Sequence, residues 1–155
     1  MGNRVIVAVA LGSNLGDRRA HLDFAVGRLR ELLEDLQTSP VHETDPVGVA
    51  DHQPRFLNAV VAGHSRLDAR ELLRALQEIE NEAGRERPYP GAARTLDLDL
   101  ILFGDSVIDQ PDLRVPHPRF RERRFVLEPL AEIAPNLKDP ESGRTVTELL
   151  AGLGR

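Results

Sequence analysis

Polar and apolar residues alternate along segment 94–104, Arg-Thr-Leu-Asp-Leu-Asp-Leu-Ile-Leu-Phe-Gly, which becomes wholly apolar near its end. A two-residue period predicts a β-strand, so Thr95, Asp97 and Asp99 are expected to share one face. The opposite face is expected to carry Leu96, Leu98, Leu100 and Leu102. The leucine face and the short flanking loops predict that this strand lies inside its sheet, although aspartate is a poor strand former.

The first part of the chain predicts a strand, a glycine loop and a helix. A continuous apolar run from Val5 to Leu11 predicts a strand that is buried on both faces and ends at Gly12. Loop 12–16 either cradles a phosphate or makes a tight turn that lines a site, and the lack of a Gly-Lys-Ser/Thr ending favours the turn. Asp17 is predicted to cap a helix with the apolar stripe Leu22, Val26, Leu29, Leu33 and Leu36.

A second strand pair is predicted in the middle of the chain. Prolines at positions 40, 46 and 54 allow at most a short strand between residues 38 and 49. Residues 56–62 then predict a strand with Phe56 and Asn58 on one face. A buried amide must be hydrogen-bonded, so Asn58 is either a satisfied structural residue or reads the donor and acceptor edge of a ligand.

The order of the elements predicts the fold class. Asp68 and Glu71 form a capping-box start for a second helix, which ends at Gly84. After the aspartate strand, the pattern predicts short strands near 107–108 and 113–115, a helix over 125–135 and a last helix starting at 145 or 147. Strand, helix, strand, strand, helix, strand is the order of an α+β protein with a ferredoxin-like βαββαβ core. We expect a mainly antiparallel sheet with helices packed on it and C-terminal appendages.

Length and composition narrow the class of protein. With 155 residues, 41% hydrophobic and 29% charged, the chain fits one globular domain spanning 1–155. The absence of cysteine excludes disulfides and thiolate metal sites and agrees with a cytoplasmic location. The apolar run near the N-terminus is too short for a membrane span, so no membrane is expected. A net charge of −5 argues against broad nucleic-acid binding.

Charge along the chain points to an anion site beside a possible metal site. Asp97 and Asp99 lie about 7 Å apart on their strand and are either solvated or ligands of Mg²⁺, which takes one or two protein carboxylates. The adjacent Arg94 favours the interpretation in which the two aspartates bind Mg²⁺. Arginine also favours bidentate contacts with phosphate oxygens, which predicts a local anion site where arginines cluster. The cluster comprises Arg114, Arg119, Arg121, Arg123 and Arg124.

Two loops flank these groups. Residues 85–93 contain two arginines, two prolines and a glycine, and form either a lid over a polyphosphate or a solvated surface loop. His117 stands between two prolines, which suits a positioned donor as well as rigid packing.

Together these motifs resemble the 6-hydroxymethyl-7,8-dihydropterin pyrophosphokinase family. The resembling segments occur in the family's order and spacing over nearly the whole chain. They are Leu-Gly-Ser-Asn-Leu-Gly at 11–16, Phe-Leu-Asn-Ala at 56–59, Gly84-Arg85, Arg-Thr-Leu-Asp-Leu-Asp at 94–99, Val-Pro-His at 115–117, and Arg123 with Phe125 ahead of Pro129-Leu130.

The resemblance implies an ATP-dependent diphosphokinase of folate biosynthesis, which transfers pyrophosphate from ATP to the hydroxymethyl group of the reduced pterin and releases AMP. ATP and the reduced pterin are then the partners, and we expect a monomer. The family binds two Mg²⁺ ions with ATP, here through Asp97 and Asp99, and these aspartates with Arg85 and Arg94 form the implied catalytic set. The implied ATP contacts are Gln77, Glu80, Arg85, Arg94, Leu100, His117 and Arg123. The implied pterin contacts are Thr44, Val47, Phe56, Asn58 and Phe125.

Two other functions fit the same residues. Paired strand aspartates also suit another Mg²⁺-dependent nucleotidyl or phosphoryl transferase on a ferredoxin-like core. A non-catalytic binding module of this fold would not need the two aspartates together with Arg94. The products separate these possibilities, since AMP with a pterin diphosphate supports the pyrophosphokinase and ADP or free pyrophosphate does not.

Overall fold

A computed structural model of the chain describes residues 4–14, 16–44, 55–84 and 96–153. The strands are β1 (Val5–Ser13), β2 (Leu33–Thr38), β3 (His42–Thr44), β4 (Phe56–Ser65), β5 (Asp97–Phe103), β6 (Ile108–Gln110) and β7 (Leu113–Val115). The helices are α1 (Arg18–Leu32), α2 (Ala69–Glu82), α3 (Arg124–Ile133) and α4 (Val146–Gly152), with a 3-10 turn at Phe120–Glu122. None of the helices in these ranges is long and apolar enough to cross a membrane.

The main sheet has the strand order β2-β4-β1-β5, and every pairing in it is antiparallel. The short strand β3 pairs with β4 alongside β2. With α1 and α2 as the connections, this order is the ferredoxin-like arrangement, so the predicted fold class is confirmed. The β6–β7 hairpin, α3 and α4 are the C-terminal appendages.

Each face of the sheet packs against its own helices. On one face, Val7, Val9 and Leu11 of β1 belong to a core cluster with buried residues of α1 and α2. On the other face, Ala8 belongs to a second cluster with Val60 and buried residues of α3 and α4. The alternation of β1 therefore separates two cores, as expected for a strand buried on both sides.

Side-chain caps define where both connecting helices begin. Asp17 accepts a hydrogen bond from the Ala20 N–H (3.1 Å) at the start of α1, and Asp68 forms a capping box with Glu71 at the start of α2. Both predicted starts are confirmed. Beyond the end of α2, Gly84 has a positive φ of 71°, which a glycine adopts without steric cost.

The predicted end of α1 is wrong. The helix ends at Leu32, and Leu33 has extended backbone angles and pairs with Ser65 of β4. Leu33 and Leu36 keep their places against the first core cluster but contribute from strand β2. Pairing with β4 satisfies the backbone groups that a longer helix would have satisfied internally, so the apolar stripe did not locate the boundary.

The predicted central position of β5 is also wrong, because among the described residues β5 lies at one edge of the main sheet. An edge strand leaves backbone groups without a strand partner, and here the Leu98 N–H donates to Glu80 Oε2 of α2 at 2.8 Å. Helix α2 therefore covers part of the edge.

A β-bulge in β5 changes which side chains share a face. Val9 pairs with Leu100 and Ala8 with Leu102, so Ile101 is an extra residue on β5. The bulge turns Leu102 to the same side as Ile101, in the second core cluster. The first cluster keeps the other three leucines of the predicted face, Leu96, Leu98 and Leu100. The prediction that Leu102 shares their face is therefore wrong.

Candidate active site

A cleft of about 670 Å³ lies on the second face of the sheet. Strands β1, β4 and β5, the end of β3, and the segment leading into α3 all contribute to it. Its lining residues are Ala10, Leu11, Gly12, Thr44, Phe56, Asn58, Ala59, Asp97, Asp99, Arg119, Glu122, Arg123, Arg124 and Phe125.

Strand β1 forms the floor of the cleft between its two chemically different sides. Gly12 pairs with Asn58 of β4 on one side and with Asp97 of β5 on the other, while Ala10 pairs with Asp99. A Cβ atom at position 12 would lie 3.4 Å from Asn58 Oδ1. The small residues of β1 therefore leave open space above the strand, between the amide on β4 and the carboxylates on β5. Because Gly12 lies within the strand, the prediction that it ends the strand and opens a tight turn is wrong.

The side chain of Asn58 is held by a neighbour within the cleft. Its Nδ2 donates to Thr44 Oγ1 at 2.6 Å, and the residue is 7% exposed. This hydrogen bond fixes the amide plane, while Oδ1 lies beside Gly12 on the floor. Asn58 is thus a satisfied polar residue and a cleft-lining residue at the same time, so the two interpretations of its role do not exclude each other.

Asp97 and Asp99 both line the cleft and are half-buried. They alternate with buried leucines that face the first core, so the strand holds the two carboxylates on the open side. Within the described part of the chain, no group of three or more acidic, histidine or cysteine residues lies close enough to hold a metal ion. A pair of carboxylates suits Mg²⁺, which usually keeps several waters and binds substrate phosphates as well.

The arginine cluster divides into groups with different surroundings. Arg119, Arg123 and Arg124 line the main cleft. Arg121 instead pairs with Asp139, and Arg114 lines a smaller cleft. Three of the five clustered arginines are therefore available in the main cleft to the predicted anion site.

Arg123 lines the cleft beside one of its two aromatic rings. Its guanidinium carbon is 5.5 Å from the centre of the Phe125 ring, a cation–π distance. Phe56 lines the same cleft, so two aromatic rings and a cation are available to one flat, charged ligand. Both phenylalanines are half-buried and present part of their surface to the cleft.

His117 is held by hydrogen bonds on both its backbone and its ring. Its N–H donates to the Ile101 carbonyl (2.8 Å), and its Nδ1 accepts from the Arg119 N–H (3.1 Å). Burial lowers the pKa of His117, and Arg123 and Arg119 lower it further against the opposing effect of Asp97. The neutral ring therefore carries its proton on Nε2 and can donate it to a ligand oxygen.

The smaller cleft, of about 250 Å³, shares Asp99 with the main one. It is lined by Leu100 and His117, two of the predicted ATP contacts, together with residues of α2 and of the β6–β7 hairpin. Two other predicted contacts on α2, Gln77 and Glu80, line neither cleft, and Glu80 binds the backbone of β5.

The structure brings together most of the predicted site residues that it describes. Of the pterin set, Thr44, Phe56, Asn58 and Phe125 line the main cleft, together with both aspartates and Arg123. Three predicted residues, Val47, Arg85 and Arg94, lie outside the described residues. The same holds for loop 85–93, with its lid interpretation.

The sequence interpretation missed the floor of the cleft. Ala10 was taken as part of an apolar run and Gly12 as part of a turn that lines a site, yet both belong to β1 and line the cleft from its strand. A signal was present, because Ala8, Ala10 and Gly12 alternate with larger residues at the two-residue period of a strand. Small residues along one strand face indicate that something approaches that face closely.

Solved structures with a similar fold support the fold class. A crystal structure of Plasmodium falciparum HPPK-DHPS has a TM-score of 0.75 and 15% sequence identity, and covers 98% of this chain and 45% of that one. A triple mutant of the same protein has a TM-score of 0.78 at 15% identity, with 44% of its chain covered. This chain spans less than half of those proteins, and at this identity they show the fold alone, an α+β ferredoxin-like domain.

The sequence comparisons go further than the fold. Residues 8–135 match the family model of 7,8-dihydro-6-hydroxymethylpterin-pyrophosphokinase. The 2-amino-4-hydroxy-6-hydroxymethyldihydropteridine pyrophosphokinase of Pseudomonas aeruginosa is 48% identical over 147 residues, which cover 94% of this chain and 90% of that protein. The protein of the same name from Bacillus subtilis is 45% identical over 146 residues, covering 92% and 87%. The chain therefore belongs to the 7,8-dihydro-6-hydroxymethylpterin pyrophosphokinase family, whose activity serves folate biosynthesis.

Proposed function

We propose that the chain transfers pyrophosphate from ATP to the hydroxymethyl group of 6-hydroxymethyl-7,8-dihydropterin, giving AMP and the pterin diphosphate. The observation that carries this proposal is the single cleft in which β4 supplies an amide and an aromatic ring while β5 supplies two carboxylates. Strand β1 lies between β4 and β5, and each strand is about 5 Å from its neighbour. An acceptor held by β4 and a polyphosphate held by β5 can therefore meet above β1.

The β4 side of the cleft suits the pterin. A pterin is flat, and the rings of Phe56 and Phe125 offer it apolar faces. Its fused amide and guanidine-like edge needs a partner with both donor and acceptor groups, which the amide of Asn58 provides. Thr44 sets the orientation of that amide through its hydroxyl. Val47, which lies outside the described residues, completes the proposed pocket by resemblance.

The β5 side suits the polyphosphate. Attack of a hydroxyl on the β-phosphorus needs alignment and neutralisation of oxygen charge more than it needs covalent help. We assign Asp97 and Asp99 to two Mg²⁺ ions, which when bound supply that neutralisation. Arg123 adds a fixed cation from the wall of the cleft, and Arg85 and Arg94 are assigned the same role by resemblance.

The smaller cleft suits the rest of the nucleotide. Leu100 offers an apolar surface there, and the Nε2–H of His117 offers a donor to a phosphate or ribose oxygen. Because Asp99 borders both clefts, a nucleotide in the smaller one can extend its phosphates to the aspartates. Gln77 and Glu80 are retained as proposed neighbours of the nucleotide on α2.

We further propose that residues 1–155 form one pyrophosphokinase domain that acts as a monomer in the cytoplasm. Two core clusters on opposite faces of one sheet support a single unit. In the described part of the chain only two large hydrophobic residues are exposed, Phe24 and Val107, which leaves little apolar surface for self-association. The absence of cysteine agrees with a reducing compartment.

Incubation with ATP, Mg²⁺ and the reduced pterin, followed by identification of the products, tests the function. AMP and the pterin diphosphate in equal amounts are expected, whereas ADP or free pyrophosphate would support a different transferase. The Asp97→Ala variant should lose at least about a hundredfold in turnover. Asp23→Ala removes an exposed carboxylate of α1 and serves as the control with unchanged turnover.

A further inference from the structure

The segment between His117 and Arg123 is a wall of the cleft with two sides. Arg119, Glu122 and Arg123 line the cleft. Phe120 points the other way and is fully buried in the second core cluster. This turn, residues 119–122, therefore connects two proposed ATP contacts, and its position determines where the side chain of Arg123 reaches the phosphates.

Arg121 ties this turn to a buried carboxylate outside the cleft. Its Nε donates to Asp139 Oδ2 (2.6 Å) and its Nη2 to Asp139 Oδ1 (2.8 Å), a bidentate pair. The same guanidinium lies 4.9 Å from the ring centre of Phe120 and donates to Glu141 (2.7 Å). Arg121 is therefore held on three sides, away from the anion site.

Asp139 is fully buried and its own position is fixed by the chain around it. Its carboxylate also accepts from the Ser142 hydroxyl (2.7 Å) and the Glu141 N–H (3.0 Å). Its backbone N–H donates to the Arg144 carbonyl (2.9 Å), and its carbonyl accepts from the Gly143 N–H (2.8 Å). Such a carboxylate is fully engaged within the protein, so it is unsuited to binding a substrate directly.

We propose that the Arg121–Asp139 ion pair is a positioning element for the nucleotide: it holds turn 119–122 so that Arg123 reaches the polyphosphate of ATP. Four arginines between residues 119 and 124 would otherwise repel one another. The buried carboxylate neutralises the one that does not line the cleft and keeps it from binding phosphate in an unproductive geometry. This inference rests on the proposed function, and it adds Arg121 and Asp139 as positioning residues.

A double-mutant cycle tests the proposal. Asp139→Asn in the otherwise wild-type protein should raise the KM for ATP about tenfold, because a small displacement of a positioned group is costly to phosphoryl transfer. Its dissociation constant for the pterin should stay within twofold of wild type. In an Arg123→Ala background the same substitution should change the KM for ATP by less than twofold, since the side chain that the pair positions is then absent and His117 is held separately by the Ile101 carbonyl.

Two further variants make the outcome decisive. Glu34→Gln removes the same charge from exposed ion pairs with Arg4 and Arg66 at the other end of β4, and should leave the KM for ATP unchanged. Arg121→Lys keeps the charge and one hydrogen bond, so it should give a KM between wild type and Asp139→Asn. It replaces Asp139→Asn in the cycle if that variant does not fold.

The proposal is overturned if the substitution changes the KM for ATP by the same factor in both backgrounds, or if it weakens pterin binding equally. Either result would mean that the pair supports the fold in general and not Arg123 in particular. Failure of the wild-type protein to form AMP and the pterin diphosphate would instead contradict the proposed function, so the two failures are distinguishable.

Discussion

Replacing Asp139 with asparagine should destabilise the fold by an amount that depends on pH. The Asp139 side chain is fully buried. Burial by itself raises the pKa of this carboxyl, but hydrogen bonds from Arg121, Ser142 and the Glu141 N–H outweigh burial and lower the pKa from 3.8 to about 2. The folded state therefore favours the ionised carboxylate more strongly than the unfolded state does.

The size of the effect follows from that difference. Because the folded-state pKa lies below 3.8, the contribution of the ionised group is complete above pH 3.8 and is lost as the pH falls through about 2. At about 1.4 kcal/mol per pH unit, the gap corresponds to roughly 2 to 3 kcal/mol. The Arg121 side chain is 28% exposed and can be partly rehydrated. We therefore expect Asp139→Asn to lower the free energy of unfolding by about 3 kcal/mol at neutral pH. This is the low end of the range for removing one partner of a buried ion pair.

Urea unfolding of wild type and Asp139→Asn at several pH values between 7 and 2 measures the difference directly. Taking the difference between the two proteins cancels the other carboxylates, which titrate in the same range. The difference in free energy of unfolding should be constant from pH 7 to pH 5 and then shrink steadily below pH 4. A difference that stays constant down to pH 2.5 would refute the argument, because it would show that the ionised form of Asp139 has no special stabilisation.

Three substitutions in the cleft give further predictions. Asn58→Ala should weaken pterin binding at least about tenfold more than ATP binding in calorimetry, since it removes a buried donor and acceptor; equal losses would contradict its role. Thr44→Val should cause a smaller loss in the same direction, because Asn58 Nδ2 loses the acceptor that orients it. Gly12→Ala places a methyl group 3.4 Å from Asn58 Oδ1 and 3.6 Å from the Phe56 ring. It should leave stability unchanged or raise it by up to about 1 kcal/mol while weakening pterin binding, and an unchanged pterin affinity would count against the proposed pocket.

The parts of the fold that follow from local pattern were predictable from the sequence. The two-residue period identified β5, and capping residues identified the starts of α1 and α2. These features depend on residues close in sequence, so no tertiary information was needed. Three residues of the cleft, Asp97, Asp99 and Asn58, were selected in the same local way, because each is unusual within its own strand, whereas Phe56 was selected through the family resemblance.

The parts that were wrong depend on partners distant in sequence. Leu33 fits a helix stripe, but β4 offered it a strand pairing, and the sequence alone does not show that competition. The bulge at Ile101 lets one strand supply side chains to both core clusters. A strict two-residue alternation does not predict such a change of face. Likewise, the arginine cluster could be recognised in the sequence. Asp139, which binds Arg121 outside the cleft, lies 18 residues later and could not be identified as its partner.

The bulge in β5 also links the proposed phosphate-binding groups to one another. Asp97 and Asp99 precede it, and the carbonyl of the bulged residue Ile101 accepts the His117 N–H at 2.8 Å. From there the backbone continues through short-range hydrogen bonds, in which the His117 carbonyl accepts from the Phe120 N–H (3.3 Å) and the Phe120 carbonyl from the Arg123 N–H (3.2 Å).

The aspartates, the histidine and the cleft arginine are thus placed relative to one another by backbone contacts, which are stiffer than contacts between long side chains. Stiffness of this kind is what alignment of a polyphosphate requires. The pair between Arg121 and Asp139 adds a contact between side chains that supports this path. If backbone geometry alone were sufficient, breaking that pair would leave ATP binding intact, and the double-mutant cycle on Arg123 decides between the two.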